Sequence, residues 1–226
     1  MSVVITVDGP SGVGKGTLAI KLAQVLGFHL LDSGAIYRVI GVAADRSGIA
    51  LDDENALVHL AEHSDMQFVP NVKSGPVAVM LDGEDLTVEV RTEKAGNLAS
   101  MVAVLPALRA ALLQKQKDFS QAPGLVADGR DMGTVVFPEA DLKFFLDASA
   151  EVRAERRVKQ LQAMGRDVIF NKIYQEVMER DQRDRNRKVA PLAPADDAIL
   201  IDTSTISAEQ VFEMVKKTIS KQLGLL

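Results

Sequence analysis

VVITVDGPSGVGKGT (Val3–Thr17) joins an apolar run to a glycine-rich turn that ends beside a lysine. Val3–Val7 has the continuous apolar character of a strand buried on both faces. Gly9, Gly14 and Lys15 then follow at the spacing G-x-x-x-x-G-K, the signature of a phosphate-binding loop. The signature carries weight only with a strand before it and a helix after it. The helix is read from Leu18, Leu22 and Leu26, which recur at intervals of four. Glycines let backbone N–H groups converge on phosphate oxygens, and the start of the helix adds partial positive charge. Lys15 can reach terminal phosphates as a mobile point charge. Gly9, Pro10, Ser11, Gly12, Val13, Gly14, Lys15, Gly16 and Thr17 are therefore the expected ATP-binding residues. Gly16 stands where the usual pattern has Ser or Thr, and the hydroxyl comes one residue later. Thr17 or Ser11 could contact a Mg²⁺ ion or a phosphate, and spacing does not choose between them.

Working outward, Phe28–Leu31, Leu125–Ala127, Leu142–Leu146 and Ile199–Ile201 are further short apolar segments. Asp32, Asp128, Asp147 and Asp202 follow them closely, as Asp8 follows the first. Helical patterns lie between most of them. Val152 begins one after the cap Ser149, and Ser207 with Gln210 reads as a capping box for the last. Strands alternating with helices predict a doubly wound α/β fold, a five-stranded parallel sheet covered by helices. Ligands of such folds bind beyond the carboxyl ends of the strands, where these aspartates fall. One gap, of about ninety residues, is too long for a simple crossover. Within it Val77, Val79 and Leu81 alternate between turn residues at Ser74–Pro76 and Asp82–Asp85, predicting a small antiparallel sheet. Helices are expected near Asp53–His63 and Pro106–Phe119. The chain thus reads as one domain, 1–226, with an inserted subdomain over 37–122.

Composition narrows the function. The chain has 226 residues, 47% hydrophobic and 4% aromatic, without Trp, so its core must be aliphatic. A net charge of -5 removes the global basic footprint of a nucleic-acid binder, while a locally basic cleft remains compatible with an anionic substrate. The absence of cysteine excludes disulfides, thiolate chemistry and Cys-ligated metals. The start lacks the pattern of a signal peptide, and no apolar run approaches the roughly 20 residues that span a bilayer. A soluble, cytoplasmic protein without membrane or nucleic-acid partners is expected. The three His are scattered and receive no role. The eight Met are read as core filler.

Candidate acceptor residues lie in LLDSGAIYR (Leu30–Arg38) and VADGRDMGTVVFP (Val126–Pro138). Ser33, Arg38, Arg109 and Arg130 could surround a phosphate, since the planar guanidinium gives bidentate contacts. Asp131 and Ser100 could read a base. A carboxylate accepts from the N4 amino group of cytosine and repels the O4 of uracil. Each has a plainer reading: Arg38 and Arg109 as helix surface, Asp131 as the cap of the following turn, Ser100 as a small helix residue. In ERDQRDRNRK (Glu179–Lys188), Arg180, Asp184 and Arg187 share one helical face at spacings of four and three. Arg153, Arg156 and Arg157 precede QLQAMGRD (Gln160–Asp167), with Arg153 and Arg157 one turn apart. Asn171-Lys172 is followed by Ile173-Tyr174, which fails the guanine-reading pattern of a GTPase. Motors and transporters are normally longer, so a small kinase is favoured.

DGPSGVGKGT, LLDSGAIYR, DGRDMGTVVFP and ERDQRDRNRKVAPL together resemble the bacterial-type cytidylate kinase family, over essentially the whole chain. The GKGT form is normal in nucleoside monophosphate kinases, which accounts for Gly16. The resemblance implies a P-loop kinase that transfers the γ-phosphoryl group of ATP to CMP or dCMP in pyrimidine nucleotide metabolism. It implies that Ser33, Arg38, Arg130 and Arg187 hold the CMP phosphate, that Ser100, Arg109 and Asp131 read cytosine, and that Arg180 and Asp184 contact the sugar. Asp128 matches an aspartate that helps position hydrated Mg²⁺, with Thr17 the other possibility. The insert becomes an NMP-binding subdomain and 153–170 a short lid. One or two of the lid arginines are expected to close onto the transferring phosphate. Lys15, Asp128, Arg130, Arg153 and Arg157 form the expected catalytic set. Asp181, Arg183, Arg185 and Lys188 read as solvated surface. Closure of insert and lid would exclude water. Gly41, Gly48 and Gly165 are flexible points or plain packing and loop residues. A monomer is expected. A kinase for another small acceptor and a nucleotide-binding switch without turnover are the rivals that an acceptor panel separates.

Overall fold

Val3–Asp8 forms strand β1, and the glycine turn after it runs directly into helix α1, Lys15–Leu26. The computed structural model describes residues 2–69 and 77–225. In chain order the remaining elements are β2 (His29–Asp32), α2 (Ser33–Ser47), α3 (Glu54–His63), β3 (Met66–Val69), β4 (Ala78–Leu81), β5 (Glu84–Asp85), α4 (Glu93–Val102), α5 (Pro106–Lys117), β6 (Gly124–Gly129), β7 (Leu142–Asp147), α6 (Ala150–Ala163), α7 (Phe170–Arg185), β8 (Ile199–Asp202) and α8 (Ala208–Leu223). A 3-10 turn covers Glu89–Arg91 and a π-helical turn Met132–Val136. The chain forms two units, Met1–Leu31 with Lys117–Leu226, and Asp32–Gln116.

The five-stranded sheet has the order β2-β6-β1-β7-β8, as expected for a doubly wound parallel fold. β1 pairs in parallel with β6 on one side and β7 on the other, and β8 extends the sheet beyond β7. The register sets Asp8 opposite Gly129, so the glycine turn after β1 and the Arg130–Asp131 segment after β6 leave the sheet at the same edge. Ile5, Val7, Leu18, Leu22, Val126, Phe144, Ile201 and Val215 form the core around these strands. It is aliphatic apart from Phe144 and its neighbour Phe212, as the scarcity of aromatics requires. Ser149 caps α6 by accepting from the Val152 N–H at 3.3 Å. Ser207 and Gln210 form the reciprocal capping box that starts α8.

In the second unit β3, β4 and β5 make the small antiparallel sheet, with Phe68 opposite Val79 and Leu81 opposite Glu84. Asp82 and Gly83 make the tight turn between the last two strands, both at positive φ. The expected turn at Ser74–Pro76 lies outside the described residues. Helix α3 begins after the cap Asp53, and α5 stops at Lys117, short of the expected Phe119. Helix α4 is capped by Thr92, whose hydroxyl accepts from the Ala95 N–H at 3.1 Å. Gly41 is a packing residue: a Cβ there would lie 2.8 Å from the Leu98 Cβ, so its absence lets α2 meet α4. Gly48 ends α2 with a left-handed φ of 68°. The core-filler reading holds for Met132, whereas Met101, Met164, Met178 and Met214 are exposed. Three of these stand on outward faces of α4, α7 and α8, where an unbranched helix former is at home. Among the described residues no single helix is long and apolar enough to cross a membrane.

Phe144 is 1% exposed on β7, whereas Leu200 on the edge strand β8 is 66% exposed. Phe144→Ala should lower the unfolding free energy by about 3–5 kcal/mol in denaturant titration. Leu200→Ala should change it by less than about 0.5 kcal/mol.

Candidate active site

The loop after β1 is shaped by close approach. A Cβ on Gly9 would sit 2.0 Å from the Leu146 carbonyl oxygen, so only glycine lets the chain turn here. A Cβ on Gly12 would lie 3.2 Å from the Arg153 Cβ, so the loop rests against that side chain. Gly14 precedes α1 and no described side chain caps the helix, which leaves its first N–H groups for an anion. Asp8 accepts from the backbone N–H groups of Met132 at 2.9 Å and Gly133 at 2.8 Å. It thereby pins the π-helical turn after β6 to the start of the loop. Burial pushes its carboxyl up to about 7, against the pull of those two bonds. Lys15 opens α1, and its ammonium donates to the Pro10 carbonyl at 2.8 Å. Its nearest carboxylate is Asp128, at 3.9 Å. Burial, and then the nearby Arg130 guanidinium, push Lys15 down to about 7. A buried ammonium among cations is a receptor for a polyanion.

The same unit carries Arg130, Asp131, Arg180, Asp184 and Arg187. Arg130 Nε donates to Asp184 Oδ2 at 2.8 Å. Burial opposes the charge of Asp184, yet Arg130 and then Arg180 hold its carboxyl below the ordinary range. Arg180 Nη1 donates to the Ser11 hydroxyl at 3.2 Å, linking α7 to the loop. The shared face holds for Arg180 and Asp184. Arg187 needs correction: α7 ends at Arg185, Asn186 closes it, and Arg187 becomes buried after the chain turns, with the Leu192 N–H returning to the Asp184 carbonyl. Asp131 is buried, and its backbone carbonyl, rather than its side chain, receives the N–H groups of Val135 and Val136.

Asp181 corrects a second expectation. It is no solvated charge: α6 packs on α7, and Asp181 grips Arg153 through both carboxylate oxygens, one at 3.0 Å. Arg153 is 3% exposed and donates from Nε to the Ala148 carbonyl at 3.0 Å and from Nη1 to the Ser11 carbonyl at 3.1 Å. Arg153, one of the lid arginines of which one or two were expected to close onto the phosphate, supports the loop in this way. Arg183 is half-buried, whereas Arg185 and Lys188 are exposed. Arg157 donates to Gln160 at 2.6 Å from a half-buried position.

In the second unit, Ser33 opens α2 and donates to Gln116 Oε1 at 2.7 Å in a buried pair. Arg38 donates to the carbonyls of Val90 at 2.8 Å and Thr92 at 3.3 Å. Arg109 is buried on α5, with its guanidinium 5.7 Å from the centre of the Tyr37 ring. Ser100 is buried on α4. None of these is surface decoration.

A cavity of about 430 Å³ lies beside the loop, and the sequence reading singled out its loop and arginine lining but not Thr203 or Val211. Gly12, Val13 and Thr17 line one side, and Arg156, Thr203 and Val211 another. Arg156 donates to the Thr203 hydroxyl at 3.1 Å and also to its carbonyl. The signal for Thr203 was IDTS (Ile201–Ser204), which closes the last parallel strand at its carboxyl end, where doubly wound folds bind ligands. Gln116 and Asp181 were missed as well.

No group of three or more His, Asp or Glu among the described residues could cage a metal. The donors present still suit Mg²⁺, which keeps several waters and takes phosphate oxygens with one or two carboxylates. Thr17, the third residue of α1, is exposed and carries a hydroxyl. Asp128 lies against the start of α1, its Oδ2 3.4 Å from where a Cβ on Gly16 would be.

A glycine loop between a buried parallel strand and a helix, with its lysine buried at the carboxyl edge of the sheet, defines a P-loop nucleotide-binding protein. The fold agrees with the crystal structure of TT1252 from Thermus thermophilus, at a TM-score of 0.50 and 17% identity, covering 98% of each chain. Residues 5–221 match the family described as cytidylate kinase. A cytidylate kinase of Aeromonas hydrophila is 56% identical over 224 residues, 99% of this chain and 96% of that one. One of Photobacterium profundum is 60% identical over 208 residues, 92% and 90% of the two chains. The chain belongs to the cytidylate kinase family.

Asp184 ionises more readily in the folded chain than in the unfolded one. Its stabilisation is therefore complete above the unfolded value of 3.8 and disappears as pH falls through the lower folded value. Asp184→Asn, which leaves Arg130 buried without its carboxylate, should cost about 3 kcal/mol at pH 7. The gap between parent and variant should narrow in denaturant titrations at progressively lower pH.

Proposed function

We propose that this protein transfers the γ-phosphoryl group of ATP to CMP or dCMP, giving ADP and CDP or dCDP. The observation that carries this reading is the meeting, in one unit, of a phosphate-binding loop with a cluster of cations. Arg180 touches Ser11 of the loop, and Arg130 and Arg180 both act on the buried Lys15. Two anions repel unless fixed cations lie between them, and phosphoryl transfer depends chiefly on such positioning and charge neutralisation.

In this reading Gly9–Thr17 bind the ATP phosphates, and the cavity by Arg156 and Thr203 takes its nucleoside. Lys15 meets the terminal phosphates, exchanging the Pro10 carbonyl for a stronger partner. Ser33, Arg38, Arg130 and Arg187 are assigned to the acceptor phosphate, Ser100, Arg109 and Asp131 to cytosine, and Arg180 and Asp184 to the sugar. The burial of Arg109, Ser100 and Asp131 supports a recognition role over a surface one. Mg²⁺ would be held through Asp128 and Thr17, and when bound it supplies neutralisation of phosphate charge. Of the lid arginines, Arg157 is the stronger choice for the transferring phosphate, since Arg153 is enclosed. The insert, expected over 37–122, is assigned to acceptor binding, and the lid to the turn between α6 and α7. A monomer acting in the cytoplasm, without membrane or nucleic-acid partners, belongs to the same reading.

The test is ADP release from ATP and Mg²⁺ with CMP, dCMP, UMP, AMP or shikimate, against a no-acceptor control. Turnover should be fast with CMP and dCMP. In Asp131→Ala the ratio of kcat/KM for CMP over UMP should fall at least about tenfold, within the range of one lost base contact. An equal ratio in parent and variant removes Asp131 from base reading, and turnover confined to a different acceptor removes the cytosine assignment altogether.

A further inference from the structure

We propose that Asp181, acting through Arg153, is a positioning residue that couples acceptor binding on α7 to the donor loop. The inference rests on the reading that α7 contacts the acceptor through Arg180 and Asp184.

Two consecutive residues of α7 reach the same loop residue by different routes. Arg180 donates directly to the Ser11 hydroxyl at 3.2 Å. Asp181 holds the Arg153 guanidinium at both terminal nitrogens, and Arg153 Nη1 donates onward to the Ser11 carbonyl at 3.1 Å. Ser11 is thus held at its side chain by Arg180 of α7 and at its backbone by Arg153 of α6, which Asp181 of α7 grips. It lies between Gly9 and Gly12, both at positive φ, in the stretch whose N–H groups must converge on phosphate.

The linkage is stiff. A carboxylate meeting a guanidinium through two contacts fixes the plane of both groups, which a lysine at the same place would not do. Arg153 is further fixed by its Nε bond to the Ala148 carbonyl, and its stem lies under Gly12. With Arg153 only 3% exposed, leaving this position would strand the Asp181 carboxylate and two carbonyls. A displacement of α7 is therefore passed to Ser11 rather than absorbed by rotation of an exposed side chain. The exposed pair Arg185–Asp147, at 3.4 Å, has none of these restraints. Arg153 consequently acts by holding the loop, and Asp181 by holding Arg153.

Coupling of this kind is reciprocal: the factor by which donor tightens acceptor equals the factor by which acceptor tightens donor. The experiment measures CMP dissociation constants by calorimetry, alone and with a saturating non-hydrolysable ATP analogue and Mg²⁺. The parent should bind CMP at least about fivefold tighter with the analogue present. In Asp181→Asn that ratio should fall to within about twofold of unity, and Asp181→Glu should recover part of it. Melting temperatures of the same samples report folding. If Asp181→Asn does not fold, Arg153→Lys, which keeps the charge and loses the fork, is measured for the same loss. A role in stability alone would weaken both ligands in parallel and leave the ratio intact, which overturns the proposal. A parent that binds CMP with a ratio of one also overturns it, leaving the functional reading standing. A parent that binds no CMP under either condition overturns that reading and this proposal with it.

Discussion

Burying the Lys15 ammonium is the constraint on which the surrounding structure depends. A charge removed from water must be met by an opposite charge, or it is driven toward neutrality. Here the immediate partner is a single carbonyl, Pro10, and the nearest carboxylate stands at 3.9 Å. Arg130 and Arg180 add to the positive field. The arrangement is costly for the isolated chain and favourable once a triphosphate enters. Such preorganised charge, fixed before the ligand arrives, is the main resource a phosphoryl-transfer site has.

The aspartates explain how this charge is tolerated. Asp184 neutralises Arg130, and Asp181 neutralises Arg153. Both aspartates come from one helix, α7, so the segment that looks like a run of surface charges is the counterweight to the cationic site. Asp8 does a different job, tying the turn after β6 to the beginning of the loop through two backbone N–H groups. The parallel register, with Asp8 opposite Gly129, is what makes that tie possible. Fold and electrostatics therefore specify the same geometry.

How much of this could be read from the sequence follows from what each signal reports. Continuous apolar runs mark buried strands, and all five strands of the parallel sheet were legible from them. Ser149 and Ser207 announced their helices through local capping chemistry. Helix α4 was missed because its buried face sets Leu98 and Val102 among Ala95, Gly96, Ala99 and Ser100, too small and mixed for a clear hydrophobic period. The loop and its lysine were legible because their backbone geometry demands particular residues. Asp181 was not, because its partner lies 28 residues away on another helix, and only the packing of α6 against α7 brings them together. Arg187 was placed on a helical face by spacing alone, which cannot tell that the helix has ended two residues earlier. The far wall of the cavity beside the loop was hidden for a similar reason: Thr203 is an unremarkable residue until strand and helix set it against Arg156.

Lys15 is held in a site too dry, and then too positive, for its charge until a nucleotide arrives. The direct measurement is the titration of the Lys15 side-chain nitrogen by NMR, in the free protein and with ATP bound. Deprotonation should fall near pH 7 in the free protein and move toward the ordinary value of 10.5 when the phosphates are present. A free-protein value already near 10.5, unmoved by ATP, would contradict it.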